Sequence, residues 1–188
     1  MKCDIILSGV GGQGVLSVAA IISQAAVNSG MYVRQSEVHG MAQRGGAVVA
    51  HMRLSDEPIA SDLIMKGSAD VLLSMEPLES LRYLEYLSES GWIITAAEGY
   101  NNIPNYPDLD KIKEAIRVHP NAHIVDAKNS AKQAGSPRAM NVVLVGAAAK
   151  VLPVSKDALY KAVEQRFSGK GDKVNDINKK ALKLGLDS

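Results

Sequence analysis

The first 40 residues divide into blocks with different patterns of apolar and polar residues, and each block predicts one helix or strand. The run "DIILSGV" (4–10) predicts a short buried strand that ends in glycines. The next stretch, "GVLSVAAIISQAAVNSG" (14–30), predicts a buried helix, because its apolar residues continue up to Asn28, Ser29 and Gly30, a helix-stop signature. "MYVRQSEV" (31–38) alternates as a second strand does, which completes a βαβ unit.

Strand and helix patterns go on alternating through the middle of the chain. This order predicts an α/β fold: a Rossmann-like, mostly parallel sheet with helices on both faces. The predicted strands are "AVVAHMRL" (47–54), "ADVLLSM" (69–75), "WIITAA" (92–97) and "AHIVDA" (122–127), and the predicted helices are "EPLESLRYLEYL" (76–87) and "DLDKIKEAIRVH" (108–119).

The strand pattern stops at Ser136, and the C-terminal part is predicted to be helical, over 136–152, 155–167 and 172–186. The first of these helices is apolar nearly all round, so we expect it to be buried. Between the strands, "EGYNNIPNYPD" (98–108) is rich in Asn and Pro and is expected to be the loosest connection. No repeat or linker separates two cores, so residues 1–188 are expected to form a single domain.

Composition narrows the classes of function. With 21 Lys and Arg against 20 Asp and Glu, the net charge of +1 favours neither nucleic-acid nor membrane-surface binding. A single cysteine, Cys3, excludes a disulfide within the chain and a self-contained iron–sulfur cluster, which needs several thiolates. The N-terminal region has no long apolar segment of the roughly 20 residues that a membrane span needs, so a cytoplasmic protein is expected.

The turn between the first strand and the first helix is the first candidate site. Gly9, Gly11 and Gly14 match the spacing G-x-G-x-x-G, and Gly12 and Gln13 complete the turn. Glycine permits positive φ and a close approach of backbone N–H groups to a ligand, where an anion also meets the positive end of the helix dipole. The alternative is that these glycines only let the helix pack closely on the strand.

The stretch "EVHGMAQRGG" (37–46) is the second candidate site, because a packed core has little use for such a mixture. Glu37 stands where a dinucleotide-binding fold carries the acid that holds the ribose. Arg44 can make a bidentate contact to a phosphate or carboxylate, and Gln43 can donate and accept. Gly45 and Gly46 let the backbone approach a ligand, and His39 can relay a proton near neutral pH.

Plainer roles remain open for the same residues. Glu37 and Arg44 can pair with each other or with the surface of a partner. His39 can be a hydrogen-bonded structural histidine, and His51, inside a predicted strand, is a weaker candidate than His39.

Four segments together resemble a known family. They are "GVGGQGVLSVAAII", "SEVHGMAQRGGAVVAHMRLS", "GSADVLLSMEPLESLRYL" and "MNVVLVGAAAK", and they resemble the gamma-type domain of the 2-oxoacid:ferredoxin oxidoreductases. The resemblance runs from Ile5 to about Phe167. It implies a subunit that works only in a larger enzyme, which oxidatively decarboxylates an aryl pyruvate, forms an acyl-CoA and passes electrons to ferredoxin.

The same resemblance implies where the cofactors are. Thiamine diphosphate and the 4Fe–4S clusters belong to a large partner subunit, and no cofactor is held by this chain alone. The resemblance implies that this chain covers the active-site entrance and helps to bind coenzyme A. The glycine turn is then a candidate for a phosphate of coenzyme A or for a subunit contact. We expect residues 37–46, with His39 and Arg44, to form a loop that reaches the partner's active site or the coenzyme A pocket.

Two other functions remain open from the residues. An independent NAD(P)- or FAD-dependent reductase would use the same glycine turn, and an assembly module would bind no ligand there. Neither accounts for "HGMAQRGG", and the chain contains no metalloprotease spacing such as H-E-x-x-H.

Overall fold

A six-stranded mixed sheet forms the centre of the molecule, in a computed structural model that describes residues 1–39 and 45–188, with Val38 and His39 described by their backbone alone. The strand order is β2-β3-β1-β4-β5-β6. The strands are β1 (Lys2–Val10), β2 (Tyr32–His39), β3 (Ala47–Ser55), β4 (Ala69–Ser74), β5 (Leu87–Ala96) and β6 (Ala122–Val125). The helices are α1 (Val15–Asn28), α2 (Pro77–Arg82), α3 (Leu109–Arg117), α4 (Ala127–Ala134), α5 (Met140–Ala148), α6 (Lys156–Phe167) and α7 (Asp172–Leu186).

Strand directions confirm the predicted α/β class and correct one detail. The pairs β1–β4, β4–β5 and β5–β6 are parallel. Strand β3, however, is antiparallel to both of its neighbours, β1 and β2. The expected βαβ unit is therefore interrupted: β1 and β2 point the same way, but β3 lies between them.

Helices pack on both faces of the sheet, as predicted. On one face, α1 and the helices from α4 to α7 form the larger apolar cluster with alternate residues of β1 and β3. On the other face, Ile112 and Ile116 of α3 pack on Ile6, Leu72 and Ile93. Every residue of α5 from Val142 to Ala148 is buried, as expected for a helix that is apolar all round.

Helices α5 and α7 touch through their backbones. A Cβ at Gly146 would collide with the Leu182 carbonyl oxygen, and a Cβ at Gly185 would collide with the Val143 carbonyl oxygen. Glycine at these two positions therefore lets the helices approach more closely than side chains would allow.

Two helices differ from the sequence prediction. The helix predicted over 76–87 ends at Arg82, a 3₁₀ turn covers Leu84–Tyr86, and Leu87 already belongs to β5, where it pairs with Ala69. Helix α4 was not expected, because its few apolar residues are alanines. In the described ranges, 1–39 and 45–188, no helix has the length and apolar character required to cross a membrane.

Candidate functional site

The glycine turn joins the end of β1 to the start of α1, as the sequence predicts. Gly12 and Gly14 have φ values of +100° and +88°, in the left-handed region that favours glycine. The side chain of Gln13 folds back, and its Oε1 accepts a hydrogen bond of 2.8 Å from the Val10 amide. Gln13 therefore holds the turn against its own strand.

The glycines of the turn differ in whether a side chain would fit there. A Cβ at Gly9 would lie 2.9 Å from Met75 Cβ, and one at Gly14 would lie 2.9 Å from Asn141 Nδ2. At Gly12 such a Cβ would meet no atom within 4 Å. Gly9 and Gly14 thus serve close packing, whereas Gly12 faces the space that a ligand or a partner can enter.

The pair Gly45 and Gly46 is hydrogen-bonded to the glycine turn. Gly11 N donates to Gly46 O at 2.8 Å, Gly45 N donates to Gly11 O at 3.4 Å, and Asn102 Nδ2 donates to Gly45 O at 2.8 Å. The two glycine-rich stretches, far apart in sequence, therefore form one structure. Because the Gly11 amide already has an acceptor, it is not offered to a phosphate.

A cavity of about 270 Å³ lies beside this structure. Its lining is mainly apolar, and one lining residue, Leu16, has 42% of its surface exposed. The cavity can take an apolar group, beside the backbone at the positive end of α1. The lining residues are Val10, Gly11, Gly12, Gly14, Val15, Leu16 and Val48.

Glu37 and His39 lie on β2, which is separated from β1 and its turn by β3. Glu37 pairs with Ala50 of β3, which pairs with Leu7 of β1, so two strand spacings, roughly 10 Å, separate Glu37 from β1. The Glu37 carboxylate accepts a hydrogen bond from the Gln35 side chain. The backbone of His39 pairs with Val48, the residue that also pairs with Gly9.

Two of the predicted residues, Gln43 and Arg44, lie outside the described residues. The residues that bracket this segment, His39 and Gly45, both stand at the carboxyl edge of β1 and β2. This edge also carries the glycine turn, and it is where ligands of open α/β sheets bind.

A buried acidic cluster lies beneath the same edge and was missed by sequence reasoning. The carboxylate of Glu76 is fully buried and accepts from Glu79 N and from the Tyr106 hydroxyl, each at 2.7 Å. Glu79, also buried, accepts from Arg82 Nε at 3.1 Å, and burial raises the pKa of its carboxyl. An acid directly before Pro77 at the start of a helix was the available signal for Glu76.

His51, the weaker histidine candidate, is a structural residue. It is buried, its Nδ1 accepts a hydrogen bond of 3.0 Å from Ile64 N, and its ring stands edge-on to Tyr86. Burial lowers the pKa of His51, so the neutral ring needed to accept this bond is favoured.

Comparison with known proteins decides the family. Residues 4–188 match the family described as pyruvate ferredoxin/flavodoxin oxidoreductase. The chain belongs to this family. The resemblance predicted from the glycine turn and "HGMAQRGG" is thereby confirmed, and the chain is an oxidoreductase subunit of the 2-oxoacid:ferredoxin type.

Relatives of similar length support this assignment. The chain is 38% identical over 198 residues to the indolepyruvate oxidoreductase subunit IorB of Archaeoglobus fulgidus, covering 100% of this chain and 95% of that one. The crystal structure of the keto/oxoacid ferredoxin oxidoreductase gamma subunit from Geobacter sulfurreducens matches with a TM-score of 0.71 and 26% identity, over 98% of this chain and 96% of that one.

A longer protein shares the fold. The 2-oxoglutarate:ferredoxin oxidoreductase of Magnetococcus marinus, solved with 2-oxoglutarate, coenzyme A and succinyl-CoA bound, matches with a TM-score of 0.79 and 21% identity. The match covers 99% of this chain and 30% of that one, and it shows a common fold.

Proposed function

We propose that this chain is the small subunit of a thiamine-diphosphate-dependent oxidoreductase that converts an aryl pyruvate, such as indolepyruvate, to an acyl-CoA. In this reaction the bond to the carboxyl carbon breaks, CO₂ leaves, the acyl group forms a thioester with coenzyme A, and ferredoxin accepts the electrons. The observation that carries the proposal is the 38% identity to an indolepyruvate oxidoreductase subunit along the entire chain. The functional unit is one domain, residues 1–188, in the cytoplasm.

The chemistry of the cofactors is assigned to a large partner subunit. Iron–sulfur clusters are held by several thiolates, and this chain has one cysteine. Cys3 is buried, which raises the pKa of its thiol to about 12. The described residues also bring together no three His, Cys, Asp or Glu side chains that could hold a metal ion. The partner's thiamine diphosphate and 4Fe–4S clusters supply decarboxylation and electron transfer, and ferredoxin binds the complex.

The part played by this chain is to cover the active site and to hold coenzyme A. The apolar cavity at the glycine turn suits the methyl and methylene groups of the pantetheine arm of the coenzyme, and open space at Gly12 leaves room for its approach. Because the Gly11 amide is already bonded, Arg44 and Gln43 are assigned to the phosphates. His39 is assigned to proton relay, and Glu37 to the rim of the site.

Substitution of Gly12 tests this role in the assembled complex. Gly12→Ala adds a methyl group to the open side of the turn and should raise the KM for coenzyme A about tenfold, a loss of about 1.4 kcal/mol of binding. Gly30→Ala is the matched control, because Gly30 also has positive φ and open space but lies at the far end of α1. Equal KM values in both variants would contradict the proposed contact.

The charge assigned to Arg44 is tested separately. Arg44→Ala should raise the KM for coenzyme A while the complex still assembles, whereas Arg117→Ala, at an exposed position of α3, should leave it unchanged. A KM that does not respond to Arg44→Ala would remove this residue from the site.

Two other results would support the rival functions. NAD(P)H or FAD binding by the isolated chain would support an independent reductase. Loss of the partner on purification of Gly12→Ala, with an unchanged KM in whatever complex remains, would support an assembly module at the turn. The distance of Glu37 from β1 disfavours the reductase, because that acid should stand beside the ribose.

A further inference from the structure

A second cavity, of about 400 Å³, opens beside the first turn of α1 and shares no lining residue with the cavity at the glycine turn. We call it the α1–α7 cleft. Its volume lies in the range of small-molecule sites. Its polar wall is formed by Ser17, Ser136, Arg138, Asn141, Lys170 and Asn178, and its apolar wall by Ala139, Phe167, Val174 and Ile177.

Positive potential converges on this cleft. Arg138 and Lys170 line it, and neither forms an ion pair with any residue in 1–39 or 45–188. The first turns of three helices, α1, α5 and α7, lie around the same space. They contribute Ser17, Asn141 and Val174 to its lining. Helix N-termini carry partial positive charge, so they add to the field of the two side chains.

The hydrogen-bonding groups of the cleft are largely unused. The Ser17 hydroxyl and the Asn141 amide form no side-chain hydrogen bond within the part of the chain that the structure describes. Asn178 is 6% exposed, and its Nδ2 donates to Val174 O at 2.7 Å, which fixes the amide in the wall. Free donors and cations around one space are what an anion requires.

An aromatic surface adjoins these charges. Lys170 Nζ lies 5.6 Å from the centroid of the Phe167 ring, and Val174 and Ile177 continue the apolar wall. A ligand that combines a phosphate with a flat apolar group would therefore contact both walls at once.

We propose that the α1–α7 cleft binds a phosphate monoester joined to a planar ring system, as in a nucleotide. Arg138, Lys170 and Ser17 hold the phosphate, and Phe167, Val174 and Ile177 pack against the ring. The inference does not depend on the proposed reaction, because none of the residues that line the cleft lines the cavity at the glycine turn, although Asn141 lies against Gly14.

Calorimetric titration of the full chain tests this site with inorganic phosphate, AMP and adenosine as separate probes. AMP should bind more tightly than either inorganic phosphate or adenosine, since only AMP contacts both walls. The double variant Arg138→Ala, Lys170→Ala should weaken AMP binding about tenfold or more. The matched control, Lys111→Ala with Arg117→Ala, removes two exposed charges from α3 on the opposite face of the sheet and should bind AMP as the wild type does.

Two further variants keep the test decisive. Arg138→Gln with Lys170→Gln removes the charges but keeps long side chains, and circular dichroism shows whether each variant folds. Gly12→Ala should bind AMP normally, which separates this site from the proposed coenzyme A contact. No AMP binding by the wild type, equal losses in the α3 control, or no loss in either variant of Arg138 and Lys170 would overturn the proposal. Binding of inorganic phosphate as tight as that of AMP would overturn the role of the ring.

Discussion

The Tyr106 hydroxyl donates a hydrogen bond of 2.7 Å to Oε2 of Glu76. This bond connects the segment between β5 and α3 to the start of α2. The same segment carries Asn102, which donates to the Gly45 carbonyl. The segment expected to be the loosest is thus held at two points, and it supports the contact between the two glycine stretches.

Removal of the Tyr106 hydroxyl should destabilise the chain. Tyr106→Phe leaves the buried Glu76 carboxylate without one of its donors, and we expect a loss of about 1–3 kcal/mol in the free energy of unfolding. Urea denaturation measures it. Tyr160→Phe is the control, because the half-buried Tyr160 hydroxyl forms no hydrogen bond in the described ranges. A difference below the error of the fit would show that the bond does not stabilise the fold.

Glu79 should make stability depend on pH. Burial is the main cause that raises its pKa above the usual 4.5; the Glu76 charge adds to this and Arg82 opposes it. A group with a raised folded-state pKa stabilises fully below 4.5 and loses that contribution as the pH rises through the folded value.

Glu79→Gln should therefore become more stable, relative to the wild type, as the pH rises from 4.5 to neutrality. Denaturant unfolding across this range measures the difference. Glu89→Gln, on the exposed part of β5, should leave the pH profile of the wild type unchanged. Parallel profiles for Glu79→Gln and the wild type would show that Glu79 does not titrate in this range.

The backbone contact between α5 and α7 should not tolerate a methyl group. Gly185→Ala forces the Val143 carbonyl away and should cost about 3 kcal/mol of unfolding free energy. Gly169→Ala serves as the control, because a Cβ at Gly169 meets no atom within 4 Å. Thermal melting of both variants measures the cost, and similar melting temperatures would show that the two helices can separate freely.

Cys3 should be unreactive while the chain is folded. Its thiol is buried, and burial, followed by the charges of Asp70 and Asp4, raises its pKa to about 12. At pH 8 it holds on the order of a thousandfold less thiolate than a free cysteine. A disulfide reagent should label it only after denaturation. Rapid labelling of the native chain would mean that β1 opens at its first residues.

Element prediction succeeded where apolar periodicity decides the structure. The strands β1 and β4 and the helix α5 bury most of their residues, and α1 buries half of its residues, so their sequences are largely apolar. Helix α4 lacks that signal, and only the residues at its two ends are typical of a helix. Asp126 caps its start by accepting a hydrogen bond from Asn129 N, and Gly135 follows its end with positive φ. The direction of β3 could not be read, because an apolar run does not record which strand it pairs with.

The site remains a prediction, but its two glycine stretches were recognised because the residues within each stretch lie close together in sequence. The turn from Gly9 to Gly14 and the pair Gly45 and Gly46 were both expected at a site, and the structure brings them into contact. Tyr106 and Asn102 were not expected there, because their partners, Glu76 and Gly45, are distant in sequence. A sequence pattern shows spacing along the chain, whereas these contacts depend on how the sheet is ordered.

The position of β3 has a consequence for how the family can change. Its register is continuous with β1 from Lys2 to Val10 and with β2 from Tyr32 to His39. A slip of one residue would turn Ala50, Met52 and Leu54 away from the core, so both ends of the intervening segment are fixed in place. An exchange of residues 40–44 between relatives would therefore join the same two fixed strand ends.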